Sequence, residues 1–281
     1  MPRPLWKGAI SFGMVTIPIK LYTATEEKDV HFNMLHAEDM SRIKQKRFCA
    51  EEDVEVSNDE IVKGYEITPG RYVTMEDEDF SKVPLATTRT IDIQEFVSLD
   101  QIDPIYYQKT YFLEPEEIGI KPFALLMKTL EETERVAIAK VAMRQKEQLC
   151  TLRIREGTIV LETMFYADEV RSAKDLALPG DDIKVNDKEL AMAKMLVDTM
   201  TSEELDLSQY KDEYREALLE IIQKKSEGLT IDEPVPVTAK ITDLSEALRA
   251  SVEAIRKSRS SDEKKETAEP ASHRRSRAKA S

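Results

Sequence analysis

A strict alternation of apolar and polar residues identifies one strand near the start of the chain. In "TIPIKLYT", Ile17, Ile19 and Leu21 alternate with polar positions. This period of two is typical of a strand with one buried face. Pro18 interrupts the run and indicates a sheet edge or a bulge, since proline has no N–H to donate to a neighbouring strand.

Six further runs are rich in β-branched and aromatic residues and are bounded by Gly, Pro or charged turns. They are "GRYVTM", "TIDIQEFV", "PIYYQKTYFL", "RVAIAKVAM", "LCTLRIR" and "TIVLETMFY". Together with the first strand they give six or seven strands within residues 1–166, with little helix between them. This arrangement predicts an antiparallel barrel or sandwich.

Helical periodicity appears once among the strands and again after residue 166. In "KPFALLMKTLEETE", apolar residues recur at the i, i+3, i+4, i+7 spacing of one helix face, after a proline that suits a first turn. Residues 186–200 and 208–228 have similar apolar stripes, with Asn186 or Asp187 as N-cap of the first and Gly228 as the stop of the second. The apolar residues that define the helix among the strands are Phe123, Leu126, Met127 and Leu130.

The C-terminal part of the chain predicts a linker, a short amphipathic helix and a tail. "DEPVPV" is too rich in proline for a core element. Residues 243–258 begin with a D-x-x-E capping pattern and have a narrow apolar stripe, which favours docking into a partner's groove. The alternative is that this helix folds back on its own barrel. Residues 259–281 show no periodicity and predict a disordered basic tail. The apolar stripe of the 243–258 helix consists of Leu244, Leu248, Val252 and Ile255.

Charge is distributed unevenly along an acidic chain. The 281 residues contain 41 Lys and Arg against 54 Asp and Glu, a formal net charge of -13. Residues 51–105 and 166–240 carry balances of -11 and -8, whereas residues 1–50 and 241–281 each carry +3. Because the local field decides whether a polyanion can dock, the net charge does not exclude nucleic-acid binding.

A basic cluster in the N-terminal part is the strongest local charge signal. "DMSRIKQKRFC" places Arg42, Lys44, Lys46 and Arg47 within six positions. On a strand, the first three would project from one face. No asparagine or aromatic residue that could read or stack on bases is interleaved with them, so they would suit phosphate contacts with little sequence preference. The alternative is a solvated strand edge that lysines protect from aggregation.

Residue patterns for catalysis or metal binding do not emerge. The three histidines are His31, His36 and His273, and Cys49 is followed by Glu52 where a C-x-x-C zinc knuckle needs cysteine. The run "EDED" is better explained as a solvated turn or helix start than as a metal cluster. We therefore expect no enzyme, no metal and no cofactor, and neither a membrane span nor a signal peptide.

Several motifs, in order along residues 4–230, resemble the bacterial Ku proteins of DNA non-homologous end joining. The basic cluster matches that family's "R-I-x-x-K-R" region. The motifs include "LWKGAISFGMVTIPIKLYTATEEKDVHF", "LHAEDMSRIKQKRFC", "DEIVKGYEITPGRYVTMEDEDF", "EFVSLDQIDPIYYQKTYFLEP", "FALLMKTLEETERVAIAKVAMRQKEQLCTLRI" and "FYADEVRSAKDL". "ITDLSEALRASVEAI" resembles the segment with which the family engages its ligase.

The resemblance implies a ring-shaped homodimer that encircles double-stranded DNA ends. Each chain would supply an antiparallel β-barrel with an arch-like insertion (1–185), a helical dimerisation arm (186–228), a linker (229–242), a ligase-recruiting helix (243–258) and the basic tail (259–281). The acidic blocks would lie outside the ring. Many relatives have a C-x-x-C pair after the basic motif, so the retention of Cys49 alone puts any metal-stapled arch in doubt here.

The implied function is non-catalytic, sequence-independent binding of DNA ends and recruitment of the end-joining ligase, ligase D. The protein would be cytoplasmic and associated with the nucleoid at breaks. The residues assigned to DNA are Lys20, Arg42, Lys44, Lys46, Arg47 and Arg71, and those assigned to the ligase are the four apolar residues of the 243–258 stripe. Two alternatives stay open: a protein-binding scaffold without DNA-end specificity, and a hydrolase or nuclease built around "EDED".

Overall fold

The computed structural model describes residues 3–83, 89–143, 146–180, 183, 185–229 and 248–254. The chain divides into two compact units after Lys174, and each unit is described by itself. Within the described residues, no helix has the length and apolar composition that crossing a membrane requires. Leu244, Ile255, the linker beyond Leu229 and the predicted tail lie outside the described residues.

The first unit is built on a closed seven-stranded barrel with the strand order β1-β2-β6-β9-β8-β7-β5. All neighbours are antiparallel except β1 and β5, which pair in parallel and close the barrel. The predicted antiparallel barrel is therefore confirmed, with one parallel seam. The strands are β1 Trp6–Phe12, β2 Val15–Thr23, β3 Lys63–Thr68, β4 Arg71–Met75, β5 Thr90–Ser98, β6 Tyr107–Pro115, β7 Arg135–Met143, β8 Lys146–Arg155 and β9 Thr158–Met164.

The barrel interior is filled by the apolar positions that alternate along its strands. Ile17, Ile19 and Leu21 of β2 are fully buried, as their period of two predicts. Pro18 lies just before the β2–β6 ladder, which starts at Ile19, so its missing N–H costs no bond in that ladder. Side chains from all seven barrel strands join one core cluster.

One end of the barrel is covered by the helix that the sequence places among the strands. This helix, α2 (Ile120–Thr133), directly precedes β7 and contacts β2, β7 and β8. Its predicted apolar face is confirmed, because Phe123, Leu126 and Leu130 are buried and Met127 packs against the core.

A long insertion separates β2 from β5. It contains the two-stranded sheet of β3 and β4, which has no hydrogen bonds to the barrel strands, and a short helix, α1 (Asp77–Lys82). Glu76 is the N-cap of α1, and its N–H donates to the Asp79 carboxylate at 3.1 Å. The acidic run "EDED" is therefore a helix start, as predicted.

Two helices in the described part of the second unit bury no side chain. They are α3 (Asp187–Met200) and α4 (Glu213–Ser226). Asn186 caps α3 by accepting a hydrogen bond from the Lys188 N–H at 2.9 Å, as predicted. The helix predicted from residue 208 starts only at Glu213, because residues 207–209 form a separate 3₁₀ turn.

A further helical segment covers residues 248–254. Two members of the predicted docking stripe lie in it. Val252 is only 6% exposed and Leu248 is half-buried. These two side chains are therefore not on an open helix face.

Candidate nucleic-acid interface

The basic cluster lies in the insertion between β2 and β5, and this part of the chain has no core. None of the residues 24–83 is buried. Large apolar side chains of the β3–β4 sheet are also exposed, among them Tyr65 (70%) and Tyr72 (61%). A segment of this length that buries nothing in the single chain is left with most of its surface available for contact.

Two tight turns of the same design flank the cluster, at residues 36–41 and 49–54. In each, the first residue's N–H donates to the sixth residue's carbonyl, at 2.8 and 2.9 Å. The fifth residue's N–H donates back to the first residue's carbonyl, at 2.8 and 3.0 Å. That fifth residue, Met40 or Asp53, has a positive φ of 57° or 50°. The cluster is thus a link held between two matching turns.

Side chains at these turns are fixed by backbone N–H groups. The Ser41 N–H donates to the Asp39 carboxylate at 3.0 Å and is the main reason that the pKa of Asp39 is lowered. The backbone N–H groups of Glu52 and, more weakly, Glu51 lower the pKa of the Cys49 thiol. Within the described ranges, no three His, Cys, Asp or Glu side chains converge in an arrangement that could hold a metal ion.

The link itself is not a strand. Arg42 forms a single bridge with Leu35, and residues 43–47 belong to no sheet. The prediction that Arg42, Lys44 and Lys46 project from one strand face is therefore wrong. A strand needs a paired neighbour, and nothing in the described part of the chain forms a ladder with these residues.

The four cations differ in what holds them. Lys46 Nζ lies 2.6 Å from the Glu55 carboxylate, and Arg47 Nη1 donates to Asn58 Oδ1 at 2.7 Å. Both are still exposed. Arg42 and Lys44 are exposed as well, and their side chains have no ion pair or hydrogen bond with any described residue. These two cations are the ones free to meet a phosphate.

The remaining two assigned residues lie elsewhere. Arg71 is exposed at the start of β4, in the same insertion, and has no ion-pair partner among the described residues. Lys20 is on barrel strand β2, half-buried, with its Nζ 3.2 Å from the Glu114 carboxylate. The hydrogen bond with Glu114 raises the pKa of Lys20. The structure therefore brings four of the six assigned residues into one link and places Arg71 in the same insertion.

Sequence reasoning missed the two residues that contact Lys46 and Arg47. Glu55 and Asn58 follow the cluster by nine and eleven positions from Lys46 and Arg47. They come close because the 49–54 turn folds the chain back on itself, with Phe48 bridged to Glu55. The hydrogen bonds of this turn reveal the pairing. The acidic residues in the sequence alone do not indicate which of them contacts the basic cluster.

The comparison with known proteins is extensive. Residues 11–192 match the sequence model described as the Ku70/Ku80 beta-barrel domain. The "Non-homologous end joining protein Ku" of Heliobacterium modesticaldum is 43% identical, over 97% of this chain and 98% of the relative. The protein of the same name from Archaeoglobus fulgidus is 42% identical, over 90% of this chain and all of the relative.

Some relatives are longer than this chain. The Ku protein of Symbiobacterium thermophilum is 48% identical over 90% of this chain, and the match covers 63% of that relative. For the relative from Frankia casuarinae, which is 45% identical, the share is 65%. This chain thus spans less than two thirds of these two relatives.

Among solved structures, the SPOC domain of human PHD-finger protein 3 matches 58% of this chain and 95% of its own. Its TM-score of 0.28 and identity of 12% are too low to support an argument.

The barrel-domain match over more than half of the chain, and identities above 40% over nine tenths of it, show that the chain belongs to the Ku family.

Proposed function

We propose that this chain binds the ends of double-stranded DNA, without reading sequence, in non-homologous end joining. The observation that supports it most is the insertion of residues 24–83, which buries nothing and whose basic link has two exposed cations, Arg42 and Lys44, without a partner among the described residues. Clustered cations with no asparagine or aromatic residue between them suit the regular phosphate backbone. The relatives named for non-homologous end joining provide the biological setting.

A homodimeric ring accounts for preference for ends. The insertion lacks a core in the single chain, and α3 and α4 have apolar residues exposed, such as Val197 at 64% and Tyr214 at 77%. The missing core of the insertion and the exposed apolar residues of α3 and α4 are both explained if two chains bury these surfaces against each other in a symmetric dimer. A closed ring can be loaded onto a duplex only at its end, so the ring selects ends by its shape. This selection requires no catalytic group.

The test is a competition assay with one plasmid in two forms. The linearised plasmid and the relaxed, covalently closed circle have the same length and sequence, so only the ends differ. The linear form should displace a labelled short duplex at a much lower concentration of molecules than the circle. Equal competition by both forms would remove the end-binding proposal, and failure of the labelled duplex itself to bind would favour the protein-binding scaffold.

Recruitment of an end-joining ligase is the second part of the proposal. It is supported by the apolar stripe of residues 243–258, which follows a proline-containing linker. Such a linker lets a docking helix move without disturbing the DNA-binding part. The burial of Val252 in the single chain favours the alternative that the helix folds back, so the two must be separated by mutation.

A further inference from the structure

The barrel has a cavity at the end opposite to α2. Its volume is about 330 Å³, and its walls come from the starts of β1, β6 and β8 and the ends of β7 and β9. Barrel mouths are frequent sites for small ligands, and this volume is at the small end of ligand pockets. Its floor is apolar and aromatic (Trp6, Tyr111, Met143), and its rim is polar (Gln108, Lys109, Lys146, Gln148).

The floor is fixed by a glycine. A Cβ atom placed on Gly8 would lie 2.1 Å from Cη2 of Trp6, so the indole ring lies directly against the Gly8 backbone. Trp6 also packs against the core cluster that includes Tyr111 and Met143. The aromatic surface in the mouth is therefore held in place and does not depend on a ligand to order it.

The rim is cationic. Lys109 Nζ has no ion-pair or hydrogen-bond partner among the described residues, and Lys146 Nζ lies 3.6 Å from Glu169. Among the described residues, no carboxylate lines this cavity. By contrast, the cleft beside Tyr107 is lined by three carboxylates (Asp100, Glu134, Glu162) and two arginines (Arg135, Arg153). A third cleft has three glutamates (Glu114, Glu116, Glu117) and one lysine, Lys20. Of these three cavities, the mouth is the one whose described lining carries a net positive charge, which favours an anion.

We propose that the barrel mouth binds a nucleoside monophosphate, either free or as the terminal nucleotide of a DNA strand. The base would stack on the Trp6 and Tyr111 surface, as bases do on aromatic side chains. Lys109 and Lys146 would contact the phosphate as point charges, and the Gln108 and Gln148 amides would bind the sugar or the base edge. This site is separate from the basic link and goes beyond the proposed function.

Trp6 makes the test direct, because it is the chain's only tryptophan. The full-length chain would be titrated with deoxyadenosine monophosphate while Trp6 fluorescence is followed. We expect saturable quenching, an affinity for deoxyadenosine about tenfold weaker, and displacement by inorganic phosphate. Unchanged fluorescence with the monophosphate and with short oligonucleotides would overturn the site, and equal affinities for nucleotide and nucleoside would overturn the phosphate contact.

Variants and oligonucleotides refine the result. The double variant Lys109→Gln/Lys146→Gln should weaken the monophosphate about tenfold or more, with its emission maximum and circular dichroism unchanged. The control, Lys128→Gln on the exposed face of α2, should bind normally. A double variant that binds as tightly as the parent would refute the assignment. Lys44→Ala should leave the quenching intact, so failure of duplex end binding and failure of this site are distinguishable.

Short 5′-phosphorylated and 5′-hydroxyl oligonucleotides separate the two sources of the ligand. If the phosphorylated strand displaces the monophosphate about tenfold better than the hydroxyl strand, the mouth accepts a strand terminus. If only the free nucleotide binds, the mouth takes a soluble nucleotide. Both outcomes support the site.

Discussion

Lys44 and Lys46 lie two positions apart in the basic link, yet among the described residues only Lys46 has a partner. Its pair with Glu55 is short, 2.6 Å, but the two side chains are 59% and 51% exposed. Exposed ion pairs contribute at most about 1 kcal/mol. Glu55 therefore lowers the charge available at Lys46 without locking it, whereas Lys44 has no partner in the described part of the chain.

Lys44→Ala should reduce the salt dependence of duplex binding. Every phosphate that the protein no longer neutralises lowers the slope of log affinity against log salt by about 1, and a symmetric dimer would leave two such phosphates. Affinity should fall uniformly for duplexes of equal length and different sequence. The measurement is a salt titration by fluorescence anisotropy, with Lys128→Ala on α2 as the matched control. An unchanged slope for Lys44→Ala would exclude it from the interface.

Glu55→Gln should have the opposite effect. Removing the carboxylate frees Lys46 for a phosphate, so affinity for a linear duplex should rise about two- to fivefold and the salt slope should steepen. Glu132→Gln is the control, because it frees Lys128 from a similar exposed pair on α2. A fall in affinity would mean that Glu55 orders the link more than it neutralises it.

At the scale of the elements, closure of the barrel depends on the parallel seam between β1 and β5. The Ala9 N–H donates to the Arg89 carbonyl at 3.0 Å, just before Ala9 pairs with Thr90. A Cβ atom on Gly8 would lie 2.3 Å from that same carbonyl oxygen. Backbone cannot yield there as a flexible side chain could, so the seam tolerates only glycine at this position.

Gly8→Ala should therefore destabilise the first unit by about 1–3 kcal/mol, the usual cost of overpacking. Urea unfolding followed by Trp6 fluorescence measures it. Gly64→Ala on β3 is the control, since a Cβ there would meet only Tyr72, at 3.5 Å, an ordinary contact. Equal stability of the two variants would show that the seam opens at little cost.

How far the sequence predicts these elements depends on where their side chains lie. β2 and α2 were found because their apolar periods face a core. β1 and β3 were missed: Gly8 and Ser11 weaken the apolar pattern of "WKGAISF", and "KGYEIT" is exposed at every position, so burial leaves no period to read. The parallel seam joins strands about eighty residues apart, and no local pattern specifies such a pairing.

The candidate site was predictable in composition and not in conformation. Four clustered cations are visible in any reading of the sequence, but the strand predicted for them required a ladder partner that the fold does not supply. The two matching turns depend on a positive φ at Met40 and Asp53, a conformation that is uncommon for residues other than glycine, although aspartate adopts it more readily than methionine. The pairing of Lys46 and Arg47 follows from those turns.

At the scale of the whole molecule, the described part of the second unit exposes much apolar surface, and Val252 is its one buried side chain. Leu205, Leu207 and Tyr210, between α3 and α4, are 70–75% exposed, and neither helix buries a residue. Cutting the chain at residue 185 should abolish the dimer and the end binding together, because each arm would cover its partner. Sedimentation and anisotropy measure the two properties. A folded monomeric fragment that still binds ends tightly would refute the ring.

Leu248→Asp tests whether the last described helix recruits a ligase or only folds back on its own chain. Leu248 is half-buried and its neighbour one turn on, Val252, is buried. If the apolar stripe leaves its contacts in the single chain to bind a ligase, a carboxylate at position 248 costs free energy mainly in the complex. End binding should then stay within about twofold, while ligation of linear DNA by the partner ligase should fall about tenfold.

The control is Ala250→Asp, which adds the same charge to an exposed position of the same helix and should change neither activity. Thermal unfolding separates the two explanations for Leu248→Asp. If this helix is a structural part of the chain, the buried carboxylate lowers the melting temperature, and end binding falls together with ligation. If it is a docking helix, the melting temperature changes little and only ligation falls. We expect ligation alone to fall, since the proline-containing linker lets residues 243–258 leave without disturbing the rest of the chain.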